Sequence, residues 1–413
     1  MNILFLSITV PFPPNDGGRI RILNLLKQIA SKNRISLLAL ETSPTDSEGI
    51  AYLHDMGIDA HLVQQVPNLP PLRPNTVLRA IINRLPITVA RYYFPEFKQK
   101  LHALLANNTF DLIDHEYLHT APYRVNTNLP ALLTAHNVDS HIWHRLCQQT
   151  NNPARKFLFW TQKYLFERYE RRTLPKFEAI ACTSETDRAV LQSIAPNAAV
   201  EVIPNGVDLE LYQPNHACED EAALVFTGSM DWYPNEDAVI YFADEIFPII
   251  QARRADAKFY IVGQHPTNRV QKLGERPGII VTGRVEDTKP YIARATVYVV
   301  PLRIGSGTRL KILEALAMEK AVVSTTVGEE GLNLIGGEEI IIADEPVRFA
   351  DAVVQLIGDK QMRRRLAENG WKRVEADYDW RRIGEKLHRL YESIVMQWPV
   401  VSAQSPVKTV DSG

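Results

Sequence analysis

Residues 301–320 read PLRIGSGTRLKILEALAMEK and are flanked by apolar, strand-like runs. The pattern predicts a strand, a glycine-rich turn, and then a helix whose cations lie near its start. Glycine tolerates close approach and unusual dihedrals, so the backbone N–H groups of residues 305–308 can turn toward a ligand. Because a helix N-terminus attracts anions, the turn is a candidate anion site. A plain tight connection between strand and helix is the competing interpretation.

The charges on this helix favour the anion interpretation. Arg309 and Lys311 lie at the helix start, where cations are locally unfavourable, and this conflict indicates an anionic ligand. Glu314 follows three residues after Lys311 on the same helix face, one turn deeper. A carboxylate there would repel a bare phosphate but can accept a hydrogen bond from a ribose hydroxyl. The segment therefore predicts a site for a nucleotide diphosphate.

Length and composition indicate a globular chain of two or three domains. The chain has 413 residues, of which 45% are hydrophobic and 23% charged, and its formal net charge is −2. These values give no general argument for nucleic-acid binding. Three cysteines without metal-ligand spacing fit a reducing cytosol. No apolar run is long enough for a membrane span, and the opening MNILFLSITVPF reads as a first strand. We therefore expect a soluble, cytoplasmic protein.

Strand-like runs alternate with helical patterns along the whole chain, which is typical of parallel α/β architecture. Helices are predicted from about Arg19 to Ala30 and over Glu236–Ala252. A turn-rich hinge at 204–222 separates two such series, which predicts two doubly wound domains. Strands are predicted at 2–9, 34–41, 59–65, 111–116, 131–136, 179–184 and 199–204, and then at 222–229, 258–264, 278–285, 296–302, 321–326 and 339–345.

The combination GSGTRLKILEALA, together with PNGVD at 204–208, resembles the retaining glycosyltransferases of family 4. The resemblance implies the two-domain GT-B fold. It further implies an acceptor-binding domain over 1–205, a nucleotide-sugar-binding domain over 206–379, and a last helix at 380–398 that crosses back to the first domain. The tail at 399–413 has the composition of a disordered segment.

The resemblance also assigns roles near the glycine-rich turn. Glu314 matches the second Glu of the family's paired-glutamate motif, which binds the donor ribose, whereas Ser306 occupies the place of the first. Ser229, after Gly228, stands where many members carry a phosphate-binding Arg, so Arg309 and Lys311 are the cations left to meet the diphosphate. The predicted donor-binding set is Gly18, Gly228, Arg284, Val285, Ser306, Gly307, Thr308, Leu310 and Glu314.

His136 follows an apolar strand and should project into the cleft between the domains. In family 4 a His at this strand end contacts the transferred sugar, so we predict that His136, Arg309 and Lys311 serve the transfer itself. Glu116, in the acidic segment at 111–116, is a candidate for the acceptor cleft. His141 and His144 are spaced like metal ligands, but without a nearby Cys or placed carboxylate we expect no metal site.

The resemblance implies metal-independent transfer of a sugar from a nucleotide-diphosphate donor to a hydroxyl, with retention. With GSGTRLKILEALA, the chain resembles bacterial enzymes that build exopolysaccharide or cell-envelope glycans, including those of exosortase-type systems. Two alternatives stay open, namely a catalytically silent nucleotide-sugar-binding partner in a glycan assembly complex and a sugar-nucleotide epimerase of the same fold. A missing G-x-G-x-x-G fingerprint argues against a dehydrogenase.

Two further segments, 76–100 and 155–177, combine basic and aromatic residues. Basic amphipathic helices can lie on anionic membrane surfaces. An ordinary helix whose apolar stripe faces the core is the alternative. Since family 4 enzymes with lipid-linked acceptors often meet the membrane through the N-terminal domain, we expect peripheral contact at the inner face of the cell membrane.

Overall fold

The computed structural model describes residues 1–14, 16–43, 46–64, 74–125, 127–150, 152–215, 219–305 and 307–398. The predicted tail at 399–413 and Ser306 therefore lie outside the described residues. Two parallel sheets account for the architecture, and every predicted strand is confirmed.

The first sheet has seven strands in the order β3-β2-β1-β4-β5-β6-β7. All its neighbours pair in parallel, so helices must carry the chain back between strands. The strands and helices of this half are β1 (Asn2–Ser7), α1 (Gly17–Ala30), β2 (Arg34–Leu40), α2 (Asp46–Asp55), β3 (Asp59–Val63), α3 (Pro74–Asn83), α4 (Ile87–Arg91), α5 (Pro95–Asn107), β4 (Leu112–Glu116), β5 (Ala131–Thr134), α6 (Asp139–Gln149), α7 (Pro153–Thr173), β6 (Ala179–Cys182), α8 (Glu185–Ile194) and β7 (Ala199–Val202).

The second sheet has six strands in the order β10-β9-β8-β11-β12-β13, again all parallel. A hydrophobic core of its own surrounds it. Its elements are β8 (Ala223–Thr227), α9 (Tyr233–Tyr241), α10 (Phe247–Arg253), β9 (Lys258–Val262), α11 (Asn268–Leu273), β10 (Ile279–Gly283), α12 (Lys289–Arg294), β11 (Val297–Val300), α13 (Leu310–Ala317), β12 (Val322–Ser324), α14 (Thr326–Glu329), β13 (Ile341–Ile342), α15 (Pro346–Gly358), α16 (Lys360–Asp377) and α17 (Trp380–Gln397).

The last helix, α17, packs on the first domain, as the GT-B fold requires. Its apolar side chains share one core with α1 and with one face of the first sheet. The Tyr391 hydroxyl donates a hydrogen bond to Asp114 of β4, at 2.6 Å. The fold prediction is confirmed, whereas the division at residues 205 and 206 stays a prediction.

Two helix boundaries differ from the sequence prediction. The first helix begins at Gly17 and not near Arg19, so Gly17 and Gly18 form its first turn. The Asp16 side chain explains the early start, because it accepts a hydrogen bond from the Arg19 N–H at 3.0 Å and caps the helix. The helix predicted over Glu236–Ala252 begins at Tyr233 and contains a π-helical turn at Phe242–Ile246.

Candidate active site

The carboxyl ends of the two sheets face each other across a cleft, the position where open parallel sheets bind ligands. Side chains from both domains meet there. The Asn205 amide donates a hydrogen bond to the Thr308 hydroxyl. Arg145 of α6 donates to the Gly305 carbonyl at 2.6 Å and forms a two-pronged ion pair with Glu330. These contacts hold the glycine-rich turn against the first domain.

The glycine-rich turn has the backbone shape that its sequence predicts. Gly305 has a φ of 139° and Gly307 a φ of 75°, both in the region that favours glycine. The helix α13 starts directly after the turn, with Arg309 at its N-cap position. The Arg309 guanidinium donates back to the Gly307 carbonyl at 2.8 Å, and burial lowers its pKa to about 10. Positive charge is therefore concentrated where the helix begins.

Lys311 follows two residues after Arg309, in the first turn of α13. Its ammonium nitrogen donates to the Asn235 side-chain oxygen at 2.9 Å and lies 3.9 Å from the centre of the Phe226 ring. Burial and the neighbouring Arg309 lower the pKa of Lys311 to about 7, although Glu314 opposes the shift. Among the described residues no carboxylate forms an ion pair with this ammonium, and a cation held on an aromatic ring in this way is well suited to receive an anion.

Gly228 makes room for this arrangement. Its φ is 156°, and a side chain there would meet the Asn235 amide at 2.7 Å and the Lys311 nitrogen at 3.0 Å. Asn235 in turn donates to the Ser229 carbonyl at 2.9 Å, while the Ser229 hydroxyl is turned to Asp231 at 2.5 Å. The loop after β8 thus supplies no cation of its own, and the amide that positions Lys311 comes from Asn235 in the first turn of α9.

Glu314 is held by a tyrosine from the interdomain linker. The Tyr212 hydroxyl bonds to the Glu314 carboxylate. Burial raises the pKa of Glu314, and this hydrogen bond lowers it. Lys289 lies on the other side of Tyr212, 5.8 Å from the ring centre. The carboxylate is therefore fixed one helical turn below the cations, with acceptor capacity left for a hydroxyl.

Arg284 and Val285 follow β10 at the edge of the same domain. Arg284 is exposed, whereas Val285 packs against the hydrophobic core. Since its side chain is committed to the core, any ligand contact by Val285 would use its backbone. The predicted base contact stays a prediction.

On the opposite wall, His136 follows β5 and forms a buried pair with Glu116 at the end of β4. The His136 Nε2 and the Glu116 Oε2 are 2.5 Å apart, and the two side chains are only 8% and 0% exposed. Burial raises the pKa of Glu116 to about 8 and lowers that of His136 well below its usual range. Both shifts favour the neutral forms of the two groups, and the short contact fixes the orientation of the imidazole ring at the strand end.

Arg21 and Tyr117 complete this wall. Arg21 of α1 is fully buried and donates to the Ile203 carbonyl at 2.7 Å, the Pro204 carbonyl at 2.8 Å and the Asn205 side chain at 2.9 Å. Tyr117 adopts a left-handed φ of 66° and stacks on the His136 ring at 3.9 Å. Such backbone strain in a bulky residue is often found at functional sites.

Gly18 lies directly beneath this tyrosine. A side chain at Gly18 would come within 2.1 Å of the Tyr117 hydroxyl, so the glycine is needed for packing inside the first domain. Gly17, by contrast, faces Leu310 across the cleft, with 3.8 Å between an added carbon and the leucine side chain. The predicted diphosphate contact of Gly18 stays a prediction, and Gly17 is the glycine that borders the second domain.

The structure brings together most of the predicted residues and adds several that the sequence prediction lacked. Asn235 and Tyr212 contact the predicted residues Lys311 and Glu314, Arg145 contacts the glycine-rich turn, and Glu330 pairs with Arg145. Among the described residues, no group of three or more His, Cys, Asp or Glu side chains is arranged to hold a metal ion. His141 instead lines a small gap between the domains, next to Arg145 and Gly307.

Two family models match this chain, one on each domain. The model described as "Glycosyltransferase Family 4" matches residues 48–211, and the model described as "Glycosyl transferases group 1" matches residues 221–359. Among curated proteins, a 44.6 kDa protein of the Klebsiella pneumoniae cps region is 21% identical over 92% of this chain and 97% of its own length. The lipopolysaccharide core mannosyltransferase LpcC of Rhizobium leguminosarum is 25% identical over 55% of this chain and 68% of its own length.

Solved structures agree on the architecture. A sucrose-phosphate synthase from Thermosynechococcus elongatus has a TM-score of 0.72 at 18% identity, covering 96% of this chain and 99% of its own. Anabaena HepE in complex with UDP has a TM-score of 0.65 at 15% identity, covering 95% and 100%. At these identities the likeness establishes the fold. With a family 4 N-terminal domain followed by a group 1 C-terminal domain, the chain belongs to the family 4 glycosyltransferases of the GT-B fold.

Proposed function

We propose that the protein transfers a sugar from a nucleotide-diphosphate sugar to a hydroxyl group of a glycan acceptor, with retention and without a metal ion, in the synthesis of an exopolysaccharide or cell-envelope glycan. The observation that carries the proposal is the cluster at the start of α13, where Arg309 and Lys311 precede Glu314 on one helix and the glycine-rich turn is held against the first domain by Asn205 and Arg145. Relatives named for lipopolysaccharide core and capsule synthesis support the polysaccharide context.

The proposed donor site uses one chemical feature for each part of the nucleotide. The cations and the N–H groups of residues 307–310 receive the diphosphate, Glu314 accepts from a ribose hydroxyl, and the turn at Arg284 and Val285 borders the base. Gly228, in the loop after β8, lies next to the Lys311 ammonium nitrogen. HepE, which shares the fold, has been solved with UDP and with UDP and glucose, which supports a donor of this class.

The proposed reaction breaks the bond between the anomeric carbon and the diphosphate oxygen and forms a bond to the acceptor oxygen on the same face of the sugar. The acceptor proton passes to the departing phosphate oxygen, so the products are the glycoside and the nucleoside diphosphate. Arg309 and Lys311 stabilise the charge that develops on the leaving group. His136, oriented by Glu116, binds a hydroxyl of the transferred sugar. The Arg145–Glu330 contact keeps the domains together and water out.

The donor site is tested by a thermal-shift screen with UDP, GDP, ADP and dTDP in the absence of metal. We expect one nucleotide to raise the melting temperature, because a ligand that binds only the native state stabilises it, by about 2.7 kcal/mol at a hundredfold excess over Kd. The shift should be lost in Arg309→Ala and in Glu314→Ala. Tyr212→Phe is the matched control, since it removes the hydroxyl but leaves the carboxylate, and it should retain most of the shift.

Incubation of the matching nucleotide sugar with candidate acceptors then tests transfer, and NMR of the product gives its anomeric configuration. Nucleotide binding without any turnover of donor would instead support a catalytically silent partner, an alternative that the serines at 229 and 306 keep open. Conversion of the free sugar nucleotide without an acceptor would support an epimerase. An inverted product would contradict retention.

We also propose that the acceptor is lipid-linked and that α3 and α7 contact the inner face of the cell membrane. Within the part of the chain that the structure describes, no helix has the length and apolar content to cross a bilayer. The buried stripe of α7 includes Phe166 and Tyr169, yet its opposite side exposes Phe157, Trp160 and Tyr164 in a stacked row. Exposed aromatics on a basic helix are typical of interfacial binding.

Replacing Phe157 and Trp160 by serine is expected to weaken binding to anionic vesicles about tenfold to a hundredfold. These side chains are 70% and 55% exposed, so their insertion into lipid would remove apolar surface from water and contribute to binding. Co-sedimentation with vesicles measures the effect. The control is Leu211→Ser with Met396→Ser, which removes exposed apolar side chains elsewhere and should leave binding unchanged. Equal binding by the aromatic variant and the unmodified protein would contradict membrane contact through α7.

A further inference from the structure

A second cavity lies in the first domain, away from the catalytic cleft. Its volume is about 570 Å³, within the range of small-molecule sites. It opens where the ends of α3 and α7 approach the 3₁₀ turn at Leu118–Tyr123, and neither His136 nor Lys311 lines it. The proposed transfer reaction makes no use of this space.

The cavity is basic. Arg124, Arg172 and Lys176 line it, and no carboxylate does. Glu178 lies close by and pairs with Arg124 at 3.3 Å, but in the described ranges no carboxylate oxygen comes within 4.0 Å of Arg172 or Lys176. Arg172 and Lys176, both exposed, therefore form no ion pair within the described ranges.

The groups around these cations are organised to bind an anion. The Arg172 guanidinium donates to the Arg84 carbonyl at 3.0 Å and lies 5.7 Å from the centre of the Tyr169 ring. Tyr169 is buried, and burial raises the pKa of its phenol, which therefore stays a neutral donor. A guanidinium, an ammonium and neutral donors around one space are the groups that bind phosphate.

An apolar surface leads to the opening. The helix α3 enters the cavity wall at Asn83, and the residues just before it, Ile81 and Ile82, are each 69% exposed. Leu78 extends this surface by one helical turn, at 56% exposure. A free phosphate would gain nothing from contact with this apolar surface. The hydrocarbon chain of a lipid phosphate would bury it.

We propose that this cavity binds the phosphate of a membrane lipid, with the acyl or prenyl chain lying along α3. The site would place the first domain on the bilayer in a fixed orientation, beside the cleft that receives the acceptor. This inference rests on the membrane contact proposed above and adds a defined phosphate site to it.

Vesicle co-sedimentation tests the site with phosphatidylcholine vesicles that contain or lack phosphatidic acid. Arg172→Ala with Lys176→Ala is expected to weaken binding to the anionic vesicles about thirtyfold, because each cation near an anionic surface contributes about fivefold. The matched control is Arg168→Ala with Arg171→Ala, which removes two positive charges from α7 at positions that do not line the cavity. We expect a clearly smaller loss in this control, and glycerol phosphate should compete only weakly.

Equal losses in the two double variants would overturn the proposal, since diffuse attraction to the surface would then explain the binding. Undiminished binding by Arg172→Ala with Lys176→Ala would also overturn it. A third contrary result is stabilisation by inorganic phosphate, lost in that variant, without affinity for the vesicles, because the cavity would then take a soluble ligand. The nucleotide-induced thermal shift, measured on the same samples, reports the donor site separately, so failure of one proposal is distinguishable from failure of the other.

Discussion

Replacing Lys311 by methionine is expected to lower kcat/KM for sugar transfer about a hundredfold to a thousandfold, the usual effect of removing one preorganised donor from developing charge. Lys311 bonds to Asn235 at 2.9 Å and has no carboxylate partner among the described residues. Its charge is therefore available to the departing diphosphate. Steady-state kinetics with the nucleotide sugar identified by the screen measure the effect.

The same variant should be at least as stable as the unmodified protein at neutral pH. The pKa of Lys311 is lowered to about 7 in the folded chain, below its ordinary value of 10.5, so the unfolded chain binds more protons between these two values. Protonated Lys311 therefore lowers the free energy of unfolding below about pH 7, and this destabilisation decreases as the pH rises to 10.5. Methionine removes the cost, and thermal melts at pH 6 and pH 9 should show the larger gain at pH 6.

Lys320→Met is the matched control, since it removes another buried lysine of the same domain. Lys320 pairs with Glu219 at 3.3 Å and lies away from the turn, so its loss should lower stability without a comparable loss of rate.

Diphosphate binding should also favour protonated Lys311, so nucleotide affinity should fall as the pH rises above 7, and this slope should disappear in Lys311→Met. Unchanged transfer by Lys311→Met would contradict the assignment of the leaving-group cation.

Replacing Arg21 by methionine is expected to lower the stability of the first domain by about 3–5 kcal/mol, as for the loss of one partner from a buried charged network. Arg21 donates to two carbonyls and to Asn205, and its charge faces the buried Glu116 and Asp114. Methionine fills similar space but leaves these acceptors without their donor.

Urea unfolding followed by limited proteolysis of the first domain measures this loss. Arg34→Met, which removes an exposed arginine from the start of β2, is the control and should stay within about 0.5 kcal/mol of the unmodified protein. Because Asn205 also bonds to Thr308, the Arg21 variant should in addition weaken nucleotide binding. Equal stability of the two variants would show that the network contributes little.

The sequence predicts the fold well because the decisive signals are local. Short apolar runs bounded by turn residues predict each strand, and the run from Gly305 to Glu314 predicts both the turn and the helix. The site is predicted only in part. Its positioning contacts join residues far apart in the chain, such as Lys311 with Asn235 and Glu314 with Tyr212, and no local pattern reports such pairs.

The protonation of buried side chains is a second feature that the sequence does not predict. Glu116 and His136 are ordinary polar residues in the sequence, but burial at neighbouring strand ends raises the pKa of Glu116, lowers the pKa of His136 and brings the two side chains into contact. The early start of α1 at Gly17 is a similar case, because it depends on one side-chain cap at Asp16. The position of His136 follows from its strand, whereas its protonation follows from the tertiary structure.

The crossing of α17 has a consequence for synthesis on the ribosome. The core of the first domain includes Trp380, Leu387 and Tyr391, the last of which bonds to Asp114 two residues before Glu116. An emerging chain therefore exposes this apolar face until α17 has been made, although the first sheet is complete by Val202. The domain that is translated first is thus the last to complete its core, because the second sheet must be synthesised before α17 can pack on it.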